Sequence, residues 1–364
     1  MIAKLEQRFS KDVLTLDAAA EIERISAGIR DIIFTQVRRK GAVVGLSGGV
    51  DSSVVAVLCV RALGKDRVLG LLMPEAESSP DSLSLGYLIA NSLGIRTVLE
   101  DITPILRASG CYHRRDEAIR GLIPEYGEGY RSKIAVSNVL ASNSYKTVSV
   151  IVRSPQGVEF KRRLTAEAYL TVVAATSFKQ RVRKMMEYHH ADRLQYAVVG
   201  TANRLEYDQG FFVKNGDGAA DLKPIAHLYK TQVYQLAEHL KIPEEIRRRP
   251  PTTDTYSLEQ SQEEFYFSIP YDKLDLCLYG HNHGIPATQL ALAVGLTPGQ
   301  VAHIYRDIDS KRRATHYLHL EPLLVNQIPE ITLGARAACK PKTVEAIPHS
   351  AITRDPLGGR RAER

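Results

Sequence analysis

The feature that most narrows the folds open to this chain is Ala42-Val-Val-Gly-Leu46, five residues with no polar side chain, running straight into Ser47-Gly-Gly-Val-Asp-Ser-Ser53. A strand with one face in water alternates apolar and polar residues, whereas a parallel strand covered on both faces does not. The same unit repeats downstream: Val54–Leu63 reads as a helix, Val68–Leu72 as a strand, Asp81–Leu93 as a helix and Arg96–Leu99 as a third strand. A βαβαβ succession predicts an α/β fold, an open parallel sheet with helices on both faces, Rossmann-like, that binds its ligand at the carboxyl ends of the strands. Upstream, residues 17–40 read as an amphipathic helix: Ile22, Ile25, Ile29, Ile32 and Ile33 recur at helical spacing behind an Asp17 N-cap.

After the third strand the alternation stops. Residues 103–165 carry CYHRRDE, EYGEGY and a hairpin in which Val148–Val152 and Val158–Leu164 flank Ser-Pro-Gln-Gly. This stretch reads as an insertion, too short and polar to hold much core of its own. A helix near 166–190 and a buried strand, Tyr196–Gly200, resume the sheet; helices follow at about 204–212, 230–240, 271–280, 286–295 and 298–315. A chain of 364 residues could hold two domains at roughly 150 residues each. The pattern instead predicts one domain over residues 1–330, enlarged at 103–165, and a C-terminal extension, 331–364, loose over its last 20 residues or so.

Composition removes several classes. Hydrophobic residues at 44% and charged residues at 24% exclude a disordered or fibrous chain, and no window approaches the roughly 18 apolar residues of a membrane helix. The charged start, MIAKLEQRFSKDVLTLDAAAEIERIS, has no signal-peptide core, so a cytoplasmic protein without a membrane partner is expected. Cys59, Cys111, Cys277 and Cys339 are far apart and suggest neither a zinc site nor a disulfide framework. A net charge of +7 suits a polyanion, nucleotide or nucleic acid alike.

The Gly45–Ser53 segment has the chemistry of a phosphate loop. Adjacent glycines admit an anion close to the backbone, Ser47, Ser52 and Ser53 offer hydroxyl donors, and the following helix turns its positive end to the site. Asp51 is the one group that repels phosphate, which makes sense if it holds magnesium. No Lys-Ser/Thr pair follows the glycines, so the loop is not a Walker A motif. A second dense stretch, residues 197–232, places Thr201 past a strand end, Glu206 on the next turn, and Lys214, Asp217, Asp221 and Lys230 beyond. Glu206 is a candidate second magnesium carboxylate.

Ser-Gly-Gly-Val-Asp-Ser resembles the pyrophosphate loop of the N-type ATP pyrophosphatases. Taken with VGTANRLEYDQGFFVKNGDGAADLKPIAHLYKTQV and RRPPTTD, the chain resembles the ammonia-dependent NAD synthetase family over residues 17–101 and 177–315. The resemblance implies an adenine nucleotide alpha hydrolase-like fold and a ligase forming a C–N bond. Such an enzyme adenylates deamido-NAD with ATP and magnesium, then lets ammonia displace AMP, giving NAD, AMP and pyrophosphate. Residue by residue it implies ATP contacts from Gly45, Leu46, Ser47, Gly48, Gly49, Val50, Asp51, Ser52, Thr201, Lys230 and Thr252. Asp51 and Lys230 would be catalytic, Asp51 and Glu206 would hold Mg2+, and Arg181, Lys214, Asp221 and Lys311 would contact deamido-NAD. It also implies a homodimer, with helices near the N-terminus and around 204–240 as candidate interfaces. No nucleophilic N-terminal Cys or nitrilase-like domain is present, so free ammonia or a separate glutaminase is expected to supply nitrogen.

Three features depart from the family pattern: Ser310 replaces the His of a His-Lys pair, Ser177 replaces an Asn, and the insertion is longer. Arg114-Arg115 and Lys161-Arg162-Arg163 of that insertion could reach the acid substrate or form a solvated basic surface. Three other readings stand beside this one: an amide synthetase for another carboxylic acid, a tRNA-modifying enzyme using Arg247-Arg248-Arg249, and a non-catalytic nucleotide sensor. The tRNA reading lacks a cysteine pair for sulfur transfer. His189-His190, His281 and His283 read as solvated or structural.

Overall fold

A computed structural model describes residues 9–136, 147–252, 255–326 and 328. Asp17 accepts a hydrogen bond from the Ala20 N–H and starts α1 (Ala18–Asp31), which passes through a π-helical turn before β1 (Ala42–Gly45). There follow α2 (Val50–Leu63), β2 (Val68–Leu72), α3 (Pro80–Leu93) and β3 (Arg96–Leu99). The insertion supplies α4 (Thr103–Ala108), α5 (Cys111–Arg120), β4 (Arg131–Val136), β5 (Val148–Arg153) and β6 (Glu159–Arg163). Then come α6 (Ala166–Leu194), β7 (Ala197–Val199), α7 (Arg204–Gln209), α8 (Lys230–His239) and α9 (Glu244–Arg248). The last elements are α10 (Tyr271–Asn282), α11 (Ala287–Val294) and α12 (Pro298–Thr315).

The main sheet is parallel throughout, in the order β3-β2-β1-β7, with Val43 in register with Leu69 on one side and Val198 on the other. Successive β1 residues serve opposite faces. Val44 packs with Ile29 of α1, Val54 and Leu58 of α2 and Val233 of α8, while Val43 packs with Leu69, Leu71, Ile102, Leu106 and Val182. Both faces are therefore covered, which is why the run shows no alternation. The chain moves outward from β1 to β3, then returns by β7 to the opposite flank of β1. The loops after β1 and β7 thus border the crevice where strand order reverses, the usual ligand position in such sheets.

The expected hairpin forms around Ser154–Gly157, and β4 pairs antiparallel with β5 to make a second, three-stranded sheet. This segment holds more apolar packing than its composition suggests. Ile134, Val150 and Val152 bury against Ile119, Ile123 and Tyr126, and against Val172 of α6 and Tyr256. The outer strand β6 leaves Lys161, Arg162 and Arg163 exposed. A further cluster joins Leu205 of α7 with Leu274, Leu278, Leu290, Val301, Ile304 and Ile308 of α10–α12.

Met1–Glu321 cluster as one unit and Pro322–Arg364 as another; the described part of the second, 322–326 and 328, carries no helix or strand. The expected loose tail lies outside the described residues. Among the described residues no helix is long and apolar enough to cross a membrane, and Cys59, Cys111 and Cys277 are free and buried; Cys339 lies outside them.

Candidate active site

The Leu46 N–H still pairs with the Leu71 carbonyl at 2.8 Å, after which the chain leaves the sheet. Gly48 takes φ +72°, and a Cβ there would stand 2.7 Å from the Ser82 carbonyl oxygen, so both backbone twist and space demand glycine. The Gly49 N–H donates to Ser47 Oγ at 3.3 Å, and the Ser47 and Ser52 hydroxyls lie 3.1 Å apart. Ser52 and Ser53 both donate to the Gly49 carbonyl, at 3.0 and 2.9 Å. Ser53, expected among the donors to a ligand, is fully buried and committed to this turn. The loop ends where α2 begins at Val50, so the unpaired first N–H groups of that helix border the cavity.

Three charged groups from three distant segments meet beside this loop. Asp51 lies in the first turn of α2, Glu206 in the first turn of α7, and Lys230 is the first residue of α8. The Lys230 ammonium forms a close ion pair with Asp51. Asn203 caps α7 in a reciprocal box: its Oδ1 accepts from the Glu206 N–H at 3.2 Å, and Glu206 Oε2 accepts from the Asn203 N–H at 3.1 Å. The remaining Asn203 donor, Nδ2, reaches Asp51 Oδ1 at 3.2 Å. Gln262 Nε2 donates to the other Glu206 oxygen at 3.0 Å.

The electrostatics follow from burial. Withdrawal from water, reinforced by the Asp51 charge, pushes the Glu206 carboxyl up to about 7. Burial works against the Lys230 ammonium, but Asp51 and Glu206 outweigh it and raise that group. Lys230 is aimed by Asp275 of α10, whose carboxylate accepts the Lys230 and Thr231 N–H groups at 3.3 and 2.7 Å. Burial pushes Asp275 itself up to about 6 despite those bonds.

Two connected spaces open here. A cavity of about 140 Å3 is lined by Ser47, Asp51, Lys230 and Arg249, and a larger one of about 420 Å3 by Gly45, Leu46, Met73, Ser177, Gln180 and Phe211. Ser47, Ser82, Thr201, Glu206, Thr252 and Gln262 line both. The larger volume is that of a small-molecule pocket. One wall rests on a buried ionic network: Lys179 of α6, 1% exposed, donates to Glu75 at 2.8 Å, Glu77 at 2.7 Å and the Thr255 carbonyl at 2.8 Å. From α5, Arg115 pairs with Glu77 at 2.6 Å and the Tyr112 hydroxyl donates to Glu75 at 2.6 Å. Burial opposes the Glu77 charge, yet Lys179 and Arg115 hold its carboxyl below the usual range.

Of the residues anticipated from sequence, Asp51, Glu206, Lys230, Thr201 and Thr252 converge with the phosphate loop. Arg181, Lys214, Asp221 and Lys311 do not line either cavity. Arg181 is exposed and donates to the Lys214 carbonyl at 3.4 Å, while the Lys214 ammonium donates to the Tyr317 and Leu320 carbonyls at 2.7 and 3.0 Å. Asp221 accepts the Val198 N–H at 2.7 Å. Lys311 is buried over the Tyr266 ring and pairs with Asp307 at 3.1 Å. Arg115 belongs to the buried network. Sequence reasoning missed Asn203, Gln262 and Asp275; the Asn-Arg-Leu-Glu spacing of a capping box could have signalled the first, and nothing local signals the other two. Among the described residues no group of three or more His, Cys, Asp or Glu gathers as a metal site.

The NAD synthase family matches residues 21–121 and 122–313. The NH3-dependent NAD+ synthetase of Mesorhizobium japonicum is 59% identical over 318 residues, covering 87% of this chain and all of the relative. Among solved structures, the NH3-dependent NAD synthetase of Campylobacter jejuni, in complex with nitrate, aligns with a TM-score of 0.55 at 22% identity, over 85% of this chain and 100% of that one. An NMN synthetase from Francisella tularensis aligns with a TM-score of 0.57 at 20% identity, over 86% and 100%. The two solved structures share the fold, and the family match with the 59% identical relative shows that this chain belongs to the NAD synthase family.

Proposed function

We propose that this chain amidates deamido-NAD with ammonia and ATP, through an acyl-adenylate, releasing NAD, AMP and pyrophosphate. The observation that carries the reading is the meeting of Asp51, Glu206 and Lys230 beside a glycine phosphate loop at the switch point of the sheet. In this reading Gly45–Ser52 receive the phosphates of ATP, with Thr201, Lys230 and Thr252 completing the site, and the larger cavity takes the nucleoside. Arg181, Lys214, Asp221 and Lys311 are assigned to deamido-NAD.

Asp51 and Glu206 fit Mg2+. Both are oxygen donors, and Asn203 holds them side by side. When bound, the ion would neutralise the phosphates that the attacking acid must approach. Lys230 adds a fixed positive charge at the same place, and removing one such preorganised group typically costs about 10²- to 10³-fold in rate. No side-chain nucleophile is required: the acid carboxylate attacks the α-phosphorus, pyrophosphate leaves, and ammonia then displaces AMP from the acyl carbon. Exclusion of water when both substrates fill the site would protect the adenylate from hydrolysis.

Incubation of the protein with deamido-NAD, ATP, Mg2+ and ammonium should yield NAD, AMP and pyrophosphate in equal amounts. Pyrophosphate released only with a different carboxylic acid would reassign the substrate; none released with any acid would overturn the enzyme reading. The homodimer belongs to the same proposal and is tested by sedimentation velocity.

A further inference from the structure

We propose that Arg249 binds the departing pyrophosphate of ATP and stabilises its growing negative charge. The inference rests on the reading above that ATP is cleaved in this site.

Three consecutive arginines have three different fates. Arg247 donates to the Ile242 carbonyl at 2.9 Å, and Arg248 pairs with Glu244 at 2.5 Å on the outer face of α9. All three line a separate space of about 290 Å3, and Arg249 alone of them also lines the phosphate space. A residue before proline is disfavoured in the helical region, and Arg249, preceding Pro250, ends α9 with an extended backbone, φ −64° and ψ 124°. Its guanidinium is thereby laid across the phosphate loop. Nη2 donates to Ser82 Oγ at 2.9 Å, Nη1 lies 3.5 Å from the Ser47 carbonyl, and Nη1 is 3.2 Å from the place a Cβ on Gly48 would take.

Arg249 lines the 140 Å3 phosphate space and not the larger cavity, a distribution it shares with Asp51 and Lys230. It therefore belongs to the end away from the proposed nucleoside position. The charge there also needs it. Lys230 is matched by Asp51, so that pair brings no net positive charge, and Glu206 subtracts from the total. Among the described residues no carboxylate lies within ion-pair distance of Arg249, whose two partners are neutral oxygens. A guanidinium carries five donors in a planar fork that matches phosphate, and two contacts leave the rest of the fork free. As the bond between the α-phosphorus and the bridging oxygen breaks, its electron pair goes to pyrophosphate, so a cation on that side stabilises the transition state more than bound ATP.

The test uses the full chain with Arg249→Ala, Arg249→Gln and Arg249→Lys, and measures pyrophosphate inhibition, calorimetric binding of Mg-pyrophosphate, and steady-state constants for each substrate. Arg249→Ala and Arg249→Gln should weaken pyrophosphate binding at least about 10-fold and lower kcat by about 10²-fold, with KM for deamido-NAD and ammonium unchanged. Arg249→Lys should recover part of both losses. Arg249→Gln keeps a polar group near Ser82, so it decides the matter if the alanine variant does not fold. Wild-type affinity for pyrophosphate in any folded, charge-removing variant would overturn the proposal, as would a loss confined to KM for deamido-NAD. If the wild-type protein makes no NAD, the substrate reading fails, while pyrophosphate binding to wild type and variants still decides the role of Arg249.

Discussion

Asn203 Nδ2 lies 3.2 Å from Asp51 Oδ1, joining a helix cap on one side of the crevice to the phosphate-loop carboxylate on the other. Because the same side chain caps α7 at Glu206, one residue sets the distance between the two carboxylates. Asn203→Ala should lower stability by about 1 kcal/mol through the lost cap, and raise the Mg2+ concentration for half-maximal rate about tenfold, the factor for outer partners of metal ligands. Asn203→Asp should restore the cap but not the rate, since it adds a third negative charge. Urea melts and Mg2+ titrations separate the two effects; an unchanged Mg2+ requirement in the alanine variant would sink the idea.

Asp275 makes stability depend on pH. Its folded carboxyl sits at about 6 against an ordinary 3.8, so the folded state holds the proton more tightly. The stability of the wild type relative to Asp275→Asn should be highest below about pH 4 and fall as pH rises through 6, by on the order of 3 kcal/mol. Chemical denaturation at pH 4, 5, 6 and 7 measures the slope; a flat difference refutes it.

Lys179 holds two carboxylates, the buried Glu75 and the partly buried Glu77. Lys179→Met should destabilise the protein by about 3–5 kcal/mol, because breaking a buried pair leaves its partners uncompensated. Adding Glu75→Gln should return part of that loss, since one stranded charge is then gone. A double-mutant cycle in urea reads the coupling, and strictly additive losses would count against it.

Gly48→Ala forces a Cβ to 2.7 Å from the Ser82 carbonyl at a positive φ. It should cost about 1–3 kcal/mol and raise KM for ATP. Gly28 is the contrast: it lies inside α1 with nothing within 4 Å of a Cβ, so Gly28→Ala should stabilise by roughly 0.5–1 kcal/mol without touching the kinetics. Equal kinetics for the two variants would remove the phosphate loop from the site.

The sheet could be read in advance because β1, β2 and β7 are short apolar runs and the intervening helices repeat on schedule. Strand β4 could not: Arg131 and Lys133 make it look like a polar loop, and only Ser132 and Ile134 turn inward. Asp51, Glu206 and Lys230 stand out because each lies in a stretch dense with phosphate chemistry. Their partners do not, since Gln262 is 56 residues from Glu206 and Asp275 45 from Lys230, pairings that only the fold creates. The arginine triplet shows the same limit. Composition marks a basic patch, and the proline after it decides which member faces the loop.

The insertion also changes what can be removed from this chain. Its α5 meets Lys179 and Glu75 through Glu77 and Tyr112, and its strands bury Val172 and Tyr256, residues that belong to the main body. Trimming the chain from Cys111 to Arg163 would leave Glu77 and Glu75 short of partners and uncover an apolar stripe on α6. A shortened version would fold only if the body were rewritten with it, Lys179, Glu75 and Glu77 exchanged for apolar residues and Val172 and Tyr256 for polar ones. Accessory by its position in the sequence, the segment is by its contacts a support behind the cavity wall.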